Sequence, residues 1–302
     1  ALRSVKSDAE IEEIERAVEL TGRIHRRAMQ RARPGVVERE VVAAIESLAA
    51  EHGADLSFPV ICSRHGEVLH NDSREGTLRD GDLVLCDAGA DSPLHYAGDM
   101  TRTCPAGGRF TQRQREVYEI VLGAQKAALD AIRPGIPFRD LHCLAARRLA
   151  AGLKELGLMR GDVDEAVSQG AHALFFPHGL GHMMGLDVHD MEALGEDHVG
   201  YDGEVARSGR FGLDKLRLGR RLEPGFVVTV EPGLYFIPGL IDHWRAERRH
   251  EAFIDYAAVE RYRDFGGIRI EDDVVVGDDT GRVLGSPVPR EVDELEALCA
   301  GG

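Results

Sequence analysis

The sequence predicts an α+β fold, and three observations predict it. Two pairs of amphipathic helical stretches recur, each pair joined by Arg-Pro-Gly. Strand-like runs follow each pair. The two Arg-Pro-Gly marks, at 33–35 and 133–135, lie 100 residues apart, which points to one α/β unit built twice. The 302 residues suffice for one large domain or two small ones.

The first helix opens at Ser7-Asp8-Ala9-Glu10, a capping-box pattern. Ile11, Ile14, Val18, Thr21 and Ile24 then recur at helical spacing, and Arg33-Pro34-Gly35 ends the run. A second helix is predicted over about 38–51, stopping near Gly53. A third over about 112–132 ends at Arg133-Pro134-Gly135, and a fourth follows over about 138–156. β-Branched residues and alternation predict strands at 56–61, 83–86 and 96–103 in the first half. In the second half they predict strands at 186–188, 226–230 and 267–276. The polar stretches 200–222 and 239–266 read as long surface insertions, a type that is often functional.

Composition narrows the function. A net charge of −15 counts against nucleic acid and anionic membranes, which recruit Lys and Arg. No apolar run approaches the roughly 18 residues that cross a bilayer. Ala1 to Lys6 lead into an acidic helix rather than the apolar core of a signal peptide, so a cytoplasmic protein is expected. The five cysteines are scattered without a Cys-x-x-Cys pair, which fits reduced thiols, and none is assigned to metal.

The chemistry gathers on acids and histidines. Asp87 ends a strand before Ala88-Gly89, and Asp99 lies in the next predicted strand. A hairpin would bring the two carboxylates together, and such a pair needs a proton or a cation. Two turn aspartates near glycines are the plainer alternative. His178-Gly179-Leu180-Gly181-His182 continues to His189-Asp190; its glycines argue for a loop rather than a helix bearing two histidines. Glu231 and Glu271 stand at or within the apolar runs Val227-Val228-Thr229-Val230 and Gly267-Ile268-Arg269-Ile270. A carboxylate buried there must be paired or bound to metal, unless that face is solvated. Together, four carboxylates and one imidazole offer mostly hard oxygen donors whose charge balances two divalent cations. Manganese suits such a set, with cobalt, iron or zinc as alternatives.

These residues resemble the pita-bread metallopeptidases, the group of prolidase and aminopeptidase P. The resemblance rests on Asp87-Ala88-Gly89, Gly98-Asp99-Met100-Thr101-Arg102-Thr103 and the His178 to His182 run. It extends through Gly185-Leu186-Asp187-Val188-His189-Asp190, Thr229-Val230-Glu231-Pro232-Gly233 and Gly267-Ile268-Arg269-Ile270-Glu271-Asp272, and so over nearly the whole chain. It implies a pita-bread fold: two pseudo-twofold-related α/β halves, with antiparallel sheet backed by helices. The expected domain is a single catalytic unit over 1–302, with halves near 8–107 and 108–290. The family's usual N-terminal domain is expected to be absent, because residues 2–7 resemble the linker that follows it.

The resemblance also implies roles. Asp87 binds one metal ion, Asp99 and Glu271 bridge both, and His182 and Glu231 complete the other. Glu231 also shuttles the proton, while His178 and His189 line the cleft as catalytic residues. His70, 17 residues before Asp87, matches a substrate-binding histidine, and Arg269 lies in a further substrate-binding position. Arg217 resembles the arginine by which prolidases hold a dipeptide's carboxylate. That arginine, with the insertion at 239–266, favours a Xaa-Pro dipeptidase over aminopeptidase P, which takes longer Xaa-Pro peptides. A metal-free binding module on the same fold is the alternative from another class, and the filled ligand positions count against it. The expected partner is a proline-containing dipeptide or peptide, with a homodimer implied by the resemblance alone.

Overall fold

The computed structural model describes residues 2–301; Ala1 and Gly302, the ends of the expected domain, lie outside the described residues. Helix α1 (Asp8–Arg31) begins on the predicted capping box, with Ser7 and Glu10 capping each other reciprocally. Helix α2 (Glu38–Glu51) packs against it. Strands β1 (Ile61–Ser63), β2 (Leu83–Asp87) and β3 (Thr101–Pro105) form an antiparallel sheet in that order. Helices α3 (Gln112–Ala131) and α4 (Phe138–Glu155) form the second packed pair. Helices α5 (Val163–Gln169) and α6 (Glu196–Gly200) follow. Strands β4 (Val227–Val230) and β5 (Gly233–Tyr235) precede α7 (Pro238–Ala246) and α8 (Tyr256–Val259). Strands β6 (Gly267–Arg269), β7 (Asp272–Val276) and β8 (Gly281–Val283) lead to α9 (Val292–Ala300). The second half holds an antiparallel β4-β7-β8 sheet and a β5-β6 pair. The α+β expectation holds.

The duplicated punctuation is physical. Gly35 donates to Leu78 O and Leu78 donates to Val36 O, both at 2.8 Å. Gly135 donates to Leu222 O at 2.8 Å and Leu222 to Ile136 O at 2.9 Å. Asp87 closes β2 nine residues after Leu78, and Glu231 follows β4 nine residues after Leu222. The same pair of backbone bonds thus recurs, each time nine residues before an acid of the sequence-predicted site.

Four expectations need correction. The strand placed at 56–61 reaches only Ile61, because Pro59 has no N–H to give a ladder; Leu56 makes a lone bridge to Ala90. The strand placed at 186–188 is an irregular loop with Leu186 exposed, and the run is too short to pair. The run 267–276 is not one strand: it breaks at Ile270-Glu271, β6 pairing with β5 and β7 with β4. Its polar face is not solvated, since Arg269, Glu271, Asp272 and Asp273 are all buried. Finally, the supposed surface insertions are packed. Leu213, Leu216 and Leu218 are buried in the first, and Ile241, Trp244 and Val259 in the second.

The segment before α1 is also anchored. Lys6 N donates to Gly225 O at 2.8 Å. The Lys6 ammonium, itself buried, bonds the buried Asp190 carboxylate at 2.8 Å, and Arg3 reaches both Asp190 and Asp187.

Candidate active site

Strand pairing assembles the acids. In the β2–β3 ladder Asp87 lies opposite Thr101, so Asp99, just before β3 rather than in it, stands beside the end of β2. Its backbone N donates to Asp273 Oδ2 at 2.9 Å. Thr101 carries Glu271 from the other half: Glu271 N donates to Thr101 O at 3.0 Å, and the Thr101 hydroxyl donates to Glu271 Oε2 at 2.6 Å. The segment 180–184 runs along β4, with Thr229 N bonded to His182 O and Glu231 N to Leu180 O. This contact requires Gly181, because a Cβ there would lie 2.1 Å from Thr229 O. Gly89 is required likewise, its Cβ position being 1.8 Å from Gly98 O.

The buried trio Asp99, His182 and Glu271 has potential ligand atoms all within 4.8 Å of one another, a group that can hold a metal ion. His182 Nε2 lies 3.4 Å from Asp99 Oδ2 and 3.8 Å from Glu231 Oε1. Its Nδ1 donates to Met183 O at 3.0 Å, which turns Nε2 toward the acids. Burial alone would lower the His182 pKa, but the bond and charge of Asp99, with Glu231, lift it to about 9. Asp87 is pushed up to about 7 by burial, against the pull of Arg269 and with the push of Asp99 and Glu231. Burial first, then neighbouring acids, holds Glu271 and Asp273 well above the usual carboxylate range; burial also raises Glu231.

Asp87 Oδ1, Asp99 Oδ1 and Asp273 Oδ1 are buried without hydrogen-bond partners. Unpaired buried carboxylate oxygens are costly. A cluster with too many acids for its cations, and with free oxygens, fits divalent metal as a missing counter-charge.

Arg269 is committed rather than free. It bonds Asp87 Oδ2 at 2.5 Å, Thr101 Oγ1 at 3.0 Å and Tyr235 Oη at 3.1 Å. The Tyr235 hydroxyl in turn lies 2.9 Å from His178 Nε2, and His178 Nδ1 lies 2.7 Å from Gly179 O. An N–H toward the carbonyl leaves Nε2 to accept from the tyrosine. His178 Nδ1 is also 3.6 Å from Glu231 Oε2. His189 sets its ring edge-to-face on His182, with centroids 4.4 Å apart. Burial holds both His178 and His189 near a pKa of about 3, so each stays neutral. Burial, Arg269 and Arg217 also depress His70.

One cavity of about 1280 Å³ opens over this cluster. Asp87, Asp99, His182, Glu231 and Glu271 line it, as do His70, His178, His189, Arg217 and Arg269. All ten site residues named from sequence therefore share one cleft. Asp87 and Glu231 stand outside the tight trio, Asp87 held off by Arg269. The sequence reading missed Tyr235, Asp273 and Glu192, which bonds Arg217. Only the acid run Glu271-Asp272-Asp273 carried a signal, since alternation puts Asp273 on the face of Glu271, but it assigned Asp273 no role.

The model of metallopeptidase family M24 matches residues 12–278. The chain belongs to metallopeptidase family M24. It is 40% identical over 300 residues to the Xaa-Pro aminopeptidase of Escherichia coli, covering 98% of this chain and 59% of that protein. It is 38% identical over 307 residues to the Xaa-Pro dipeptidase of Homo sapiens, covering 99% and 60%. Zinc-substituted E. coli aminopeptidase P in complex with product superposes with a TM-score of 0.81 at 40% identity, covering 99% of this chain and 60% of that one. Proline aminopeptidase P II from Yersinia pestis gives 0.81 at 38% identity, covering 100% and 61%. The M24 chain thus has the pita-bread fold and spans about three fifths of the length of these relatives. Among the described residues no helix is long and apolar enough to cross a membrane.

Proposed function

We propose that this M24 chain hydrolyses Xaa-Pro bonds with two divalent metal ions, the dipeptidase activity of prolidase being favoured. The carrying observation is a buried acid–imidazole cluster and an arginine, Arg217, on the walls of one cavity. Asp87, Asp99, His182, Glu231 and Glu271 would hold the ions, a set supported by the free oxygens of Asp87 and Asp99. When bound, divalent cations, manganese before cobalt, zinc or iron for these donors, polarise a carbonyl and make water more acidic.

The chain's own groups do the rest. Glu231 takes a proton from the attacking water and passes it to the leaving proline nitrogen. His189, half-exposed in the cleft, donates to the developing oxyanion. His178 faces Glu231 and, through Tyr235, steadies Arg269 and hence Asp87. Arg217 takes the dipeptide's terminal carboxylate, for which a guanidinium fork is suited. His70 closes the proline side. The repeated turns at Gly35 and Gly135 support halves near 8–107 and 108–290 within one catalytic unit. The unpaired cysteines support a reducing, cytoplasmic setting.

Aminopeptidase P is the second reading. Phe211 and Leu240 line the same cavity as Arg217, and about 1280 Å³ is more than a dipeptide fills. Proline release from a Xaa-Pro dipeptide, beside cleavage of a Xaa-Pro-Yaa tripeptide, separates the two. Both assays are run on metal-stripped and manganese-loaded protein. Metal-dependent turnover of the dipeptide alone supports prolidase, and turnover of the tripeptide moves the assignment. Turnover of neither substrate by loaded protein overturns the Xaa-Pro reading for this stretch of chain.

A further inference from the structure

Arg217 is not a free cation. Its Nη1 donates to Glu192 Oε2, and Glu196 Oε2 stands 3.9 Å away. Glu196 is in turn bonded by Arg207, which also holds Asp197 at 2.5 Å. Two guanidiniums thus meet three carboxylates, so the wall around the arginine carries one net negative charge.

The backbone is shaped for this arrangement. Glu192 opens a one-turn 3-10 helix, Glu192–Leu194. Before it Met191 takes a φ of 66°, and after it Gly195 takes 122°. A left-handed methionine is strained and persists only where its surroundings hold it; Met191 is buried. The turn sets Glu192 behind Arg217. Arg217 lines the cavity and Glu192 does not, though its Oε2 lies 3.7 Å from His189 Nδ1. Among the described residues Glu192 is the hydrogen-bond partner of Arg217, through one nitrogen, and Arg217 also lines the cleft.

We infer that Glu192 is a specificity-determining residue, a fixed counter-charge that weakens the pull of Arg217 on a substrate's terminal carboxylate. The inference rests on the peptidase reading above and deepens it. A bare arginine at this place would favour dipeptides strongly, because their carboxylate falls on the fork. With Glu192 behind it, Arg217 keeps its geometry and loses part of its field, and a longer peptide without a carboxylate there is penalised less. Glu192 thereby sets the ratio of dipeptide to longer substrate.

Glu192→Gln is the test, because a glutamine Oε1 still accepts from Arg217 while the charge is gone. Ala-Pro and Ala-Pro-amide are compared on manganese-loaded wild type and variant. A unit charge removed one side chain away from the fork is expected to lower KM for Ala-Pro about three- to tenfold. The change falls in KM rather than kcat, and the amide's KM stays put. Glu192→Asp, which restores the charge, should return Ala-Pro toward the wild-type KM. A rise in KM for Ala-Pro, or equal shifts for both substrates, overturns the inference and makes Glu192 a structural brace. Calorimetric binding of L-proline and L-prolinamide to the same proteins reads the inference apart from turnover. If wild type cleaves neither substrate, the peptidase reading fails. Tighter proline binding by the variant, with prolinamide unchanged, would then still support the counter-charge, and unchanged proline binding would overturn it.

Discussion

Glu271 and Asp272 are neighbours in sequence, both buried, and their carboxylates live in opposite regimes. Asp272 accepts from Arg102 Nη2 at 2.6 Å, Arg290 Nη1 at 2.8 Å and Gln125 Nε2 at 2.9 Å. Both its oxygens are filled. The same Arg102 also bonds the backbone oxygens of Glu271, Thr101, Val288 and Pro289, tying β3 to the stretches before and after β7–β8. One residue earlier, Glu271 joins Asp87, Asp99 and Glu231 around His182 and Arg269, with acid oxygens left over. Burial costs the two acids alike. Asp272 has both oxygens filled by two arginines and a glutamine, whereas the acids around His182 share the one guanidinium of Arg269 and leave Asp87 Oδ1 and Asp99 Oδ1 without partners.

Four substitutions or additions break or sharpen that contrast. The largest effect is expected from Glu231→Gln, which touches only the undersupplied side. Turnover should fall about 10²- to 10⁴-fold, while the metal-free protein melts no lower, since one repelling acid is gone. Retained turnover would remove Glu231 from proton transfer.

Arg102→Met attacks the braced side. It strands the Asp272 charge and is expected to cost about 3–5 kcal/mol in denaturant unfolding. Wild-type stability in this variant would erase the distinction between the two regions.

Manganese addition sharpens the contrast. At a hundredfold excess over Kd it should stabilise the wild type by about 2.7 kcal/mol. In Asp99→Asn the gain should vanish. An equal gain in both proteins would mean that the ion binds elsewhere.

The effect confined to acid pH concerns a third kind of buried polar group. His142 and His172 pack at 6.1 Å between ring centroids, and no ring nitrogen of either has a partner among the described residues. Unlike carboxylates they can shed their charge, and burial holds each neutral down to about pH 3. The folded-state pKa lies below the unfolded one, so this contribution is intact above about pH 6.5 and is lost as pH falls toward 3. Each imidazole then withdraws up to about 1.4 kcal/mol per pH unit. His172→Phe should flatten the acid limb of a stability–pH curve; an unchanged limb would place the acid sensitivity in other groups.

The sequence was most legible where one rule acted alone. Ser7, Gly35, Gly53 and Gly135 mark helix ends that α1 to α3 observe within a few residues. The acids and histidines of the cleft were legible because a charged residue at the end of an apolar run has few explanations. Strands were less so. Alternation reads a sheet with one wet face, and 267–276 has none, so the break at Glu271 left no trace. The insertions misled for the opposite reason: charged surfaces on α7 and the 200–222 stretch hid leucines and Trp244 that pack inward. Partner choice was invisible, because whether Arg269 serves a substrate or Asp87, and whether Arg217 stands alone or beside Glu192, depends on contacts between distant segments.

The Lys6–Asp190 ion pair has a mechanical consequence. Asp190 follows His189 directly, so the loop that carries this histidine is moored to the strand of chain entering α1. The mooring is dry and tight, and Arg3 doubles it from the rim. Tension or slack in residues 3–6 would thus be felt at the ring of His189 and, edge to face, at His182. The entry to the first helix behaves as a guy-line on the cleft, and its tautness helps decide where the His189 loop comes to rest.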